Sequence, residues 1–139
     1  MSTETNKKLV AELYVAMDSG DAAKVQSLYS ADAKFTMSGV PGPMDFNAFM
    51  QAAGAFLTAF SQARHVIKSQ LAEGDRVSTR VEWNAVHTSP FNGIPASNKP
   101  VKISAIIHHS IGNGKITEHI AMVDVMTLMQ QIGAMPMAA

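Results

Sequence analysis

The stretch Lys115-Ile116-Thr117-Glu118-His119-Ile120-Ala121-Met122-Val123-Asp124-Val125-Met126 reads as one long strand late in the chain. A period of two places Ile116, Glu118, Ile120, Met122, Asp124 and Met126 on one face. Four of these six side chains are apolar, so this face is expected to turn inward and carry Asp124 onto an oily surface. A carboxylate in such a place needs a partner or a raised pKa, and a carboxyl tuned in that way can move protons near neutral pH.

Asn113-Gly114, just upstream, is a two-residue hairpin turn that sets a countable register. If Gly112 faces Lys115, then Ile111 faces Ile116, His109 faces Glu118, Ile107 faces Ile120 and Ile103 faces Asp124. Directly paired residues share a sheet face, so His109 and Ile107 are expected beside Ile120, Met122 and Asp124, with His108 and His119 on the other side. A slip of one residue would exchange the two faces. The plainer role for Asp124 is to accept hydrogen bonds from backbone amides or a hydroxyl. For His109 it is a cross-strand polar pair with Glu118, and His65, His108 and His119 read as surface or interface residues.

Working back to the N-terminus, Leu9, Val10, Leu13, Tyr14, Ala16 and Met17 form a helical stripe over residues 4–18. Gly20 suits its C-terminal cap, and Asp21 suits the N-cap of a short second helix bearing Val25, Leu28 and Tyr29. Residues 31–37 read as a short strand. Residues 38–43 read as loop, because of their two prolines and two glycines. Asp45 caps a third helix over 46–61. From Arg64 the period changes to strands: 64–73 turns at Gly74-Asp75 into 76–88, with Val77, Thr79, Val81, Trp83, Ala85 and His87 on one face. A loop rich in Pro, Asn and Gly covers 89–98, followed by a strand over 101–111. Residues 125–132 close in a short helical turn, and 133–139 read as a frayed tail. Helices first and antiparallel strands afterwards give an α+β fold in which a curled sheet leaves a pocket against the helices.

The 139 residues suffice for a single domain with one filled core. Apolar residues are 47 % and charged residues 16 % of the chain, which excludes a disordered polypeptide. Net charge is zero and no basic run occurs, so neither nucleic acid nor an anionic membrane is an expected partner. No segment approaches the roughly 18 apolar residues of a membrane span. The absence of cysteine removes thiolate chemistry and suits a reducing cytoplasm. Adjacent histidines 108 and 109 point to opposite faces of a strand and chelate poorly, so no metal site is expected. Neither a Gly-x-Ser-x-Gly elbow nor a phosphate loop is present, so no nucleotide cofactor is expected.

Three segments carry a resemblance to a known family. His87-Thr88-Ser89-Pro90-Phe91-Asn92-Gly93-Ile94-Pro95-Ala96-Ser97-Asn98-Lys99-Pro100-Val101 resembles its H-x-G-x-F-x-G-I-P-x-T-G-K-x-V loop. Gly114-Lys115-Ile116-Thr117-Glu118-His119-Ile120, then Asp124, then Leu128-Met129-Gln130-Gln131-Ile132-Gly133, is similar to its G-K-I-x-E-H-W … D … L-L-Q-Q-L-G ending. Glu73-Gly74-Asp75-Arg76-Val77 matches the intervening turn. The family is the SnoaL-like polyketide (ester) cyclases of the nuclear-transport-factor-two superfold, and the resemblance spans about residues 5–133. In this chain the Trp of the ending is Ile120, and two loop glycines are Ser89 and Asn98.

The resemblance implies a cone-shaped barrel, with three N-terminal helices packed in a strongly curved, mainly antiparallel sheet. It also implies cofactor-independent, metal-free ring closure on a mostly apolar carbonyl compound. Asp124 would be the acid/base and His109 its helper, while Tyr14, Trp83, His87, Ile107, Ile120 and Met122 would bind substrate. The alternative is a non-catalytic module of the same fold that binds a small molecule or a partner. A homodimer is expected through Ile106, Ala121, Val123 and Val125, which the same parity leaves on the face opposite Asp124.

Overall fold

The computed structural model describes residues 2–136. Helix α1 (Thr3–Ser19) begins where the Ser2 hydroxyl accepts the Thr5 N–H and ends at Gly20, whose φ of 74° permits the left-handed cap. Helix α2 (Ala22–Leu28) and helix α3 (Phe46–Ala59) start at Asp21 and Asp45, whose carboxylates accept the Lys24 and Ala48 amides. Between them lie strands β1 (Tyr29–Met37) and β2 (Val40–Met44). Strands β3 (Phe60–Glu73), β4 (Arg76–His87), β5 (Pro100–Gly112) and β6 (Lys115–Val123) follow, and helix α4 (Val125–Gln131) comes last. The sheet order is β2-β1-β6-β5-β4-β3. All neighbours are antiparallel except β1 and β6, which run parallel. The sheet is mixed, curved and unclosed, giving the α+β class expected.

Two features depart from the expected layout. Residues 38–43 are not all loop: Ser38-Gly39 makes a tight turn and Val40–Met44 pairs with β1 through Met37↔Val40 and Phe35↔Met44. Pro41 and Pro43 are tolerated there because β2 is an edge strand with no neighbour on its far side. The second departure is in β6. The hairpin begins in the counted register, Gly112↔Lys115 and Ile111↔Ile116, but the next pairs are Ser110↔Glu118 and His109↔His119. Thr117 is therefore an extra residue, a β-bulge, and its hydroxyl donates to the Ser110 carbonyl at 3.2 Å. Because the side-chain period is two, one inserted residue exchanges the faces of everything beyond it.

From His119 onward the inward residues are His119, Ala121 and Val123, while Ile120, Met122 and Asp124 face out. This corrects the placement of all three of these latter residues. The strand also stops at Val123. Asp124 is exposed and caps α4, its Oδ1 accepting the Thr127 N–H at 3.1 Å and its Oδ2 the Thr127 hydroxyl at 2.7 Å. Those bonds, led by the hydroxyl, hold its pKa below the ordinary carboxylate value of 3.8. The outer face likewise keeps Ile106 but loses Ala121 and Val123, which turn inward.

The main core lies between the helices and the inner sheet face. Val10, Leu13 and Tyr14 of α1 meet Phe35 of β1, Phe49 of α3, Val77 and Val81 of β4, and Ile107 of β5. Phe35 and Phe49 stack at 4.5 Å. A second cluster joins Phe60, Phe91, Ile103 and Leu128 where α4 covers the end of β5.

The cap gives a direct prediction. At neutral pH, Asp124→Ala lowers the urea midpoint more than Asp124→Asn, which keeps one acceptor for the Thr127 amide but loses the charge and the second acceptor. A depressed carboxylate pKa stabilises above the unfolded pKa and ceases to do so as pH falls through the folded one. The Ala deficit therefore shrinks in acid. A pH-independent deficit would remove the charge from the explanation.

Candidate active site

Between the helices and the inner sheet face lies a cavity of about 580 Å³. Its walls are mostly apolar, with Val25, Met37, Phe49, Met50, Phe56 and Phe60 among them. Its polar groups are few: Tyr14 and Asp18 from α1, Ser61, Gln62 and His65 from β3, and His119 from β6 are the main ones. The exposed Leu57 and Gln62 in its lining mark the mouth. A small set of polar groups in an apolar hollow of this size is the usual build of a small-molecule site.

His119 is the inner group. Its Nδ1 lies 2.9 Å from the Tyr29 hydroxyl and 2.9 Å from His109 Nε2. The ring is packed by Phe49 at 4.9 Å and Phe35 at 5.5 Å. Burial pushes its pKa well below 6.5, and the neighbouring charges of His109 and then His65 push the same way. Burial likewise lowers His109 to about 3, with a smaller contribution from His108. Both rings are thus neutral at physiological pH.

Counting hydrogens assigns the tautomers. With Nδ1 of His119 as acceptor, its single lone pair is shared by Tyr29 O–H and His109 Nε2–H in a three-centre bond, and the lone pair of His109 Nδ1 goes unused. With a proton on His119 Nδ1 instead, the Tyr29 hydroxyl hydrogen and His109 Nδ1–H would both be buried donors without acceptors. Orphaned buried donors are the costlier defect. The first arrangement wins, and it puts the proton of His119 on Nε2, which has no protein partner among the described residues. His119 therefore presents one N–H to the cavity.

His65 is the second group. Asp18 grips it twice, with Oδ1 2.6 Å from the ring Nδ1 and Oδ2 accepting the backbone N–H at 2.8 Å. An acceptor-only carboxylate fixes the proton on Nδ1. The ring stacks on Tyr14 with centroids 5.1 Å apart at 28°. Tyr14 lines the cavity with a buried hydroxyl that has no protein partner among the described residues, and burial raises its pKa far above 10.

Of the residues expected at the site, the structure places Tyr14, Trp83 and Ile107 in the cavity wall. His109 is buried and inward but stands behind His119 rather than in the lining. His87 is elsewhere. It is fully buried, stacked on Phe60 at 5.0 Å, and its Nδ1 accepts the Ser97 N–H at 3.1 Å, so it pins the 88–99 loop. Ile120, Met122 and Asp124 lie outside, as the bulge dictates.

Sequence reasoning missed His119, Tyr29, His65 and Asp18 as site residues. Nothing in the Lys-Ile-Thr-Glu-His run marks the bulge, since a bulge has no obligatory residue type. The pairing of Asp18 with His65 spans 47 positions and leaves no local signal.

The profile of the SnoaL-like polyketide cyclases matches residues 8–132. Among solved structures, AclR from Streptomyces galilaeus, a proposed hydroxylase, superposes with a TM-score of 0.91 at 22 % identity, over 99 % of this chain and 87 % of that one. IdmH from Streptomyces antibioticus, a proposed polyketide cyclase, gives 0.84 at 24 % identity over 92 % and 98 %. TerC, co-crystallised with polyporic acid, gives 0.76 at 13 % over 93 % and 98 %. No curated protein matches the chain significantly.

The buried imidazoles set a pH dependence. A folded pKa below the unfolded one means that the unfolded chain binds more protons, so stability rises with pH up to the unfolded value near 6.5 and falls below it. Each such histidine contributes a slope of up to about 1.4 kcal/mol per pH unit between those limits. His109→Gln, whose amide can still donate to His119, should flatten the urea-measured stability profile between pH 6 and 4 by about that slope. An unchanged profile would mean that His109 is protonated in the folded state. The matched profile covers nearly the whole chain, and the fold and its cavity agree with it: this protein belongs to the SnoaL-like polyketide cyclase family.

Proposed function

We propose that the cavity takes a mostly apolar, carbonyl-containing substrate and that the His119 Nε2–H hydrogen-bonds its carbonyl oxygen. The reaction would be cofactor-independent proton transfer leading to ring closure. Family membership supports a cyclase-type function. The observation that carries the finer reading is the neutral imidazole, locked by Tyr29 and His109 and aimed into an apolar hollow. When a C–H next to a carbonyl loses its proton, negative charge gathers on the oxygen. A fixed donor in a water-poor site stabilises that charge more than it stabilises the neutral carbonyl, which lowers the barrier. A neutral ring suits the task because its donor needs no counter-ion and no reorganisation. Trp83, Ile107 and Tyr14 would shape the bound substrate.

Turnover of a panel of cyclisable polyketide-like esters tests this reading. His119→Phe, which keeps the ring volume and loses the donor, should lower kcat by roughly 100- to 1,000-fold while the melting transition remains cooperative. Retention of wild-type kcat would contradict the role of His119. If the panel raises the melting temperature of the wild type without turnover, the protein is instead a binding module of the same fold.

The outer sheet face carries Ile106 and Met122 side by side, 51 % and 61 % exposed. We read this face as the contact of a homodimer, since paired apolar side chains there would otherwise stay wet. Sedimentation at micromolar concentration should give a dimer, and Met122→Glu should shift it toward monomer; a monomeric wild type would contradict the assignment.

A further inference from the structure

We propose that His65, oriented by Asp18, is the general base of the cavity, and that it works opposite the donor His119 on one bound substrate. This assignment rests on the reading of the cavity as a carbonyl site and adds the group that removes the proton. The two histidines that line the cavity are held in opposite tautomers. His119 accepts at Nδ1 and so offers Nε2–H. His65 donates at Nδ1 to Asp18 and so offers the lone pair of Nε2, which has no protein partner among the described residues. One ring is thus built as a donor and the other as an acceptor.

Three further observations support the pair. The carboxylate grips both the ring and the backbone amide of His65, so the imidazole cannot turn over without breaking a 2.6 Å bond. Tyr14 stacks on the ring and limits its tilt. His65 is also close enough that its positive charge disfavours one on His119, after burial and His109 have done so. A proton held on His65 therefore stays there rather than passing to the donor across the cavity.

His65 and Asp18 line the cavity with side chains 21 % and 25 % exposed. The base thus stands nearer solvent than the donor. Asp18 does not reach the substrate; it is a positioning residue that also offsets the charge His65 acquires.

The step balances within these groups. His65 Nε2 takes the proton from the carbon next to the carbonyl, and the C–H electron pair passes to the carbonyl oxygen as an enolate held by His119 N–H. The enolate carbon then forms a C–C bond to a second carbonyl carbon of the same molecule. The resulting alkoxide takes back the proton from the His65 imidazolium, so nothing is consumed.

The test uses an α-methylated naphthyl β-keto ester, which has a single acidic C–H and a fluorescent ring. Binding is read from naphthyl fluorescence, and proton removal from deuterium uptake in heavy water by mass spectrometry. The wild type should bind the probe and accelerate uptake over buffer. His65→Gln should bind it within about twofold and lose roughly 100-fold or more of the acceleration. Asp18→Asn should lose roughly ten- to 100-fold, again with binding kept. Its ¹⁵N spectrum should show the His65 proton no longer confined to Nδ1, a change that mere destabilisation would not produce. Uptake by His65→Gln at the wild-type rate overturns the assignment, as does a wild type that binds the probe without accelerating uptake. If His119→Phe loses the acceleration while His65→Gln keeps it, the carbonyl site stands and only the base is wrong. If the wild type does not bind the probe at all, the carbonyl reading fails with it.

Discussion

One inserted residue, Thr117, decides what the cavity contains. With an unbroken ladder, Glu118 would face inward opposite His109 and His119 would face out. A lone carboxylate against Phe35 and Phe49 would cost several kcal/mol or take up a proton. The bulge avoids this. It turns Glu118 to the outer side, brings His119 beside His109, and leaves Thr117 with a hydrogen bond to the Ser110 carbonyl. The neutral form of an imidazole is far cheaper to bury than a carboxylate anion, so the slip in register and the chemistry of the wall are a single event.

Burial then does the rest. Surrounded by aromatic rings, His119 and His109 lose their charge, and the donor and acceptor roles of three groups follow from counting hydrogens. The tautomer of His119 is held by Tyr29, which comes from the other side of the sheet's parallel pair, β1. At the mouth the opposite device operates: a partly buried carboxylate holds His65 without removing it from solvent. The molecule therefore grades from wet and charged at the rim to dry and neutral within, which suits a substrate that is mostly apolar.

Much of the scaffold was legible in the chain. Caps at Asp21 and Asp45, the glycine at Gly20 and the turns at Gly74-Asp75 and Asn113-Gly114 all lie where local chemistry puts them, since each depends on a handful of neighbouring residues. The inward face of β4, from Val77 to His87, also follows simple alternation. The site was less legible. Counting parity through Thr117 carried the error to Ile120, Met122 and Asp124 together, because a bulge has no obligatory residue type. The dull reading of Asp124, an acceptor for an amide and a hydroxyl, is what the structure shows. The grip of Asp18 on His65 depends on how α1 docks against β3, which no local pattern encodes.

The account stands on His119 being turned inward by the bulge and kept neutral with its proton on Nε2. Long-range ¹H–¹⁵N correlation of the five histidines near pH 6 reads this directly. The account predicts that His119, like His109 behind it, shows a protonated Nε2, an unprotonated Nδ1 and no change as the pH is lowered to 5. Two equivalent, averaged nitrogens titrating like a histidine in water would contradict it.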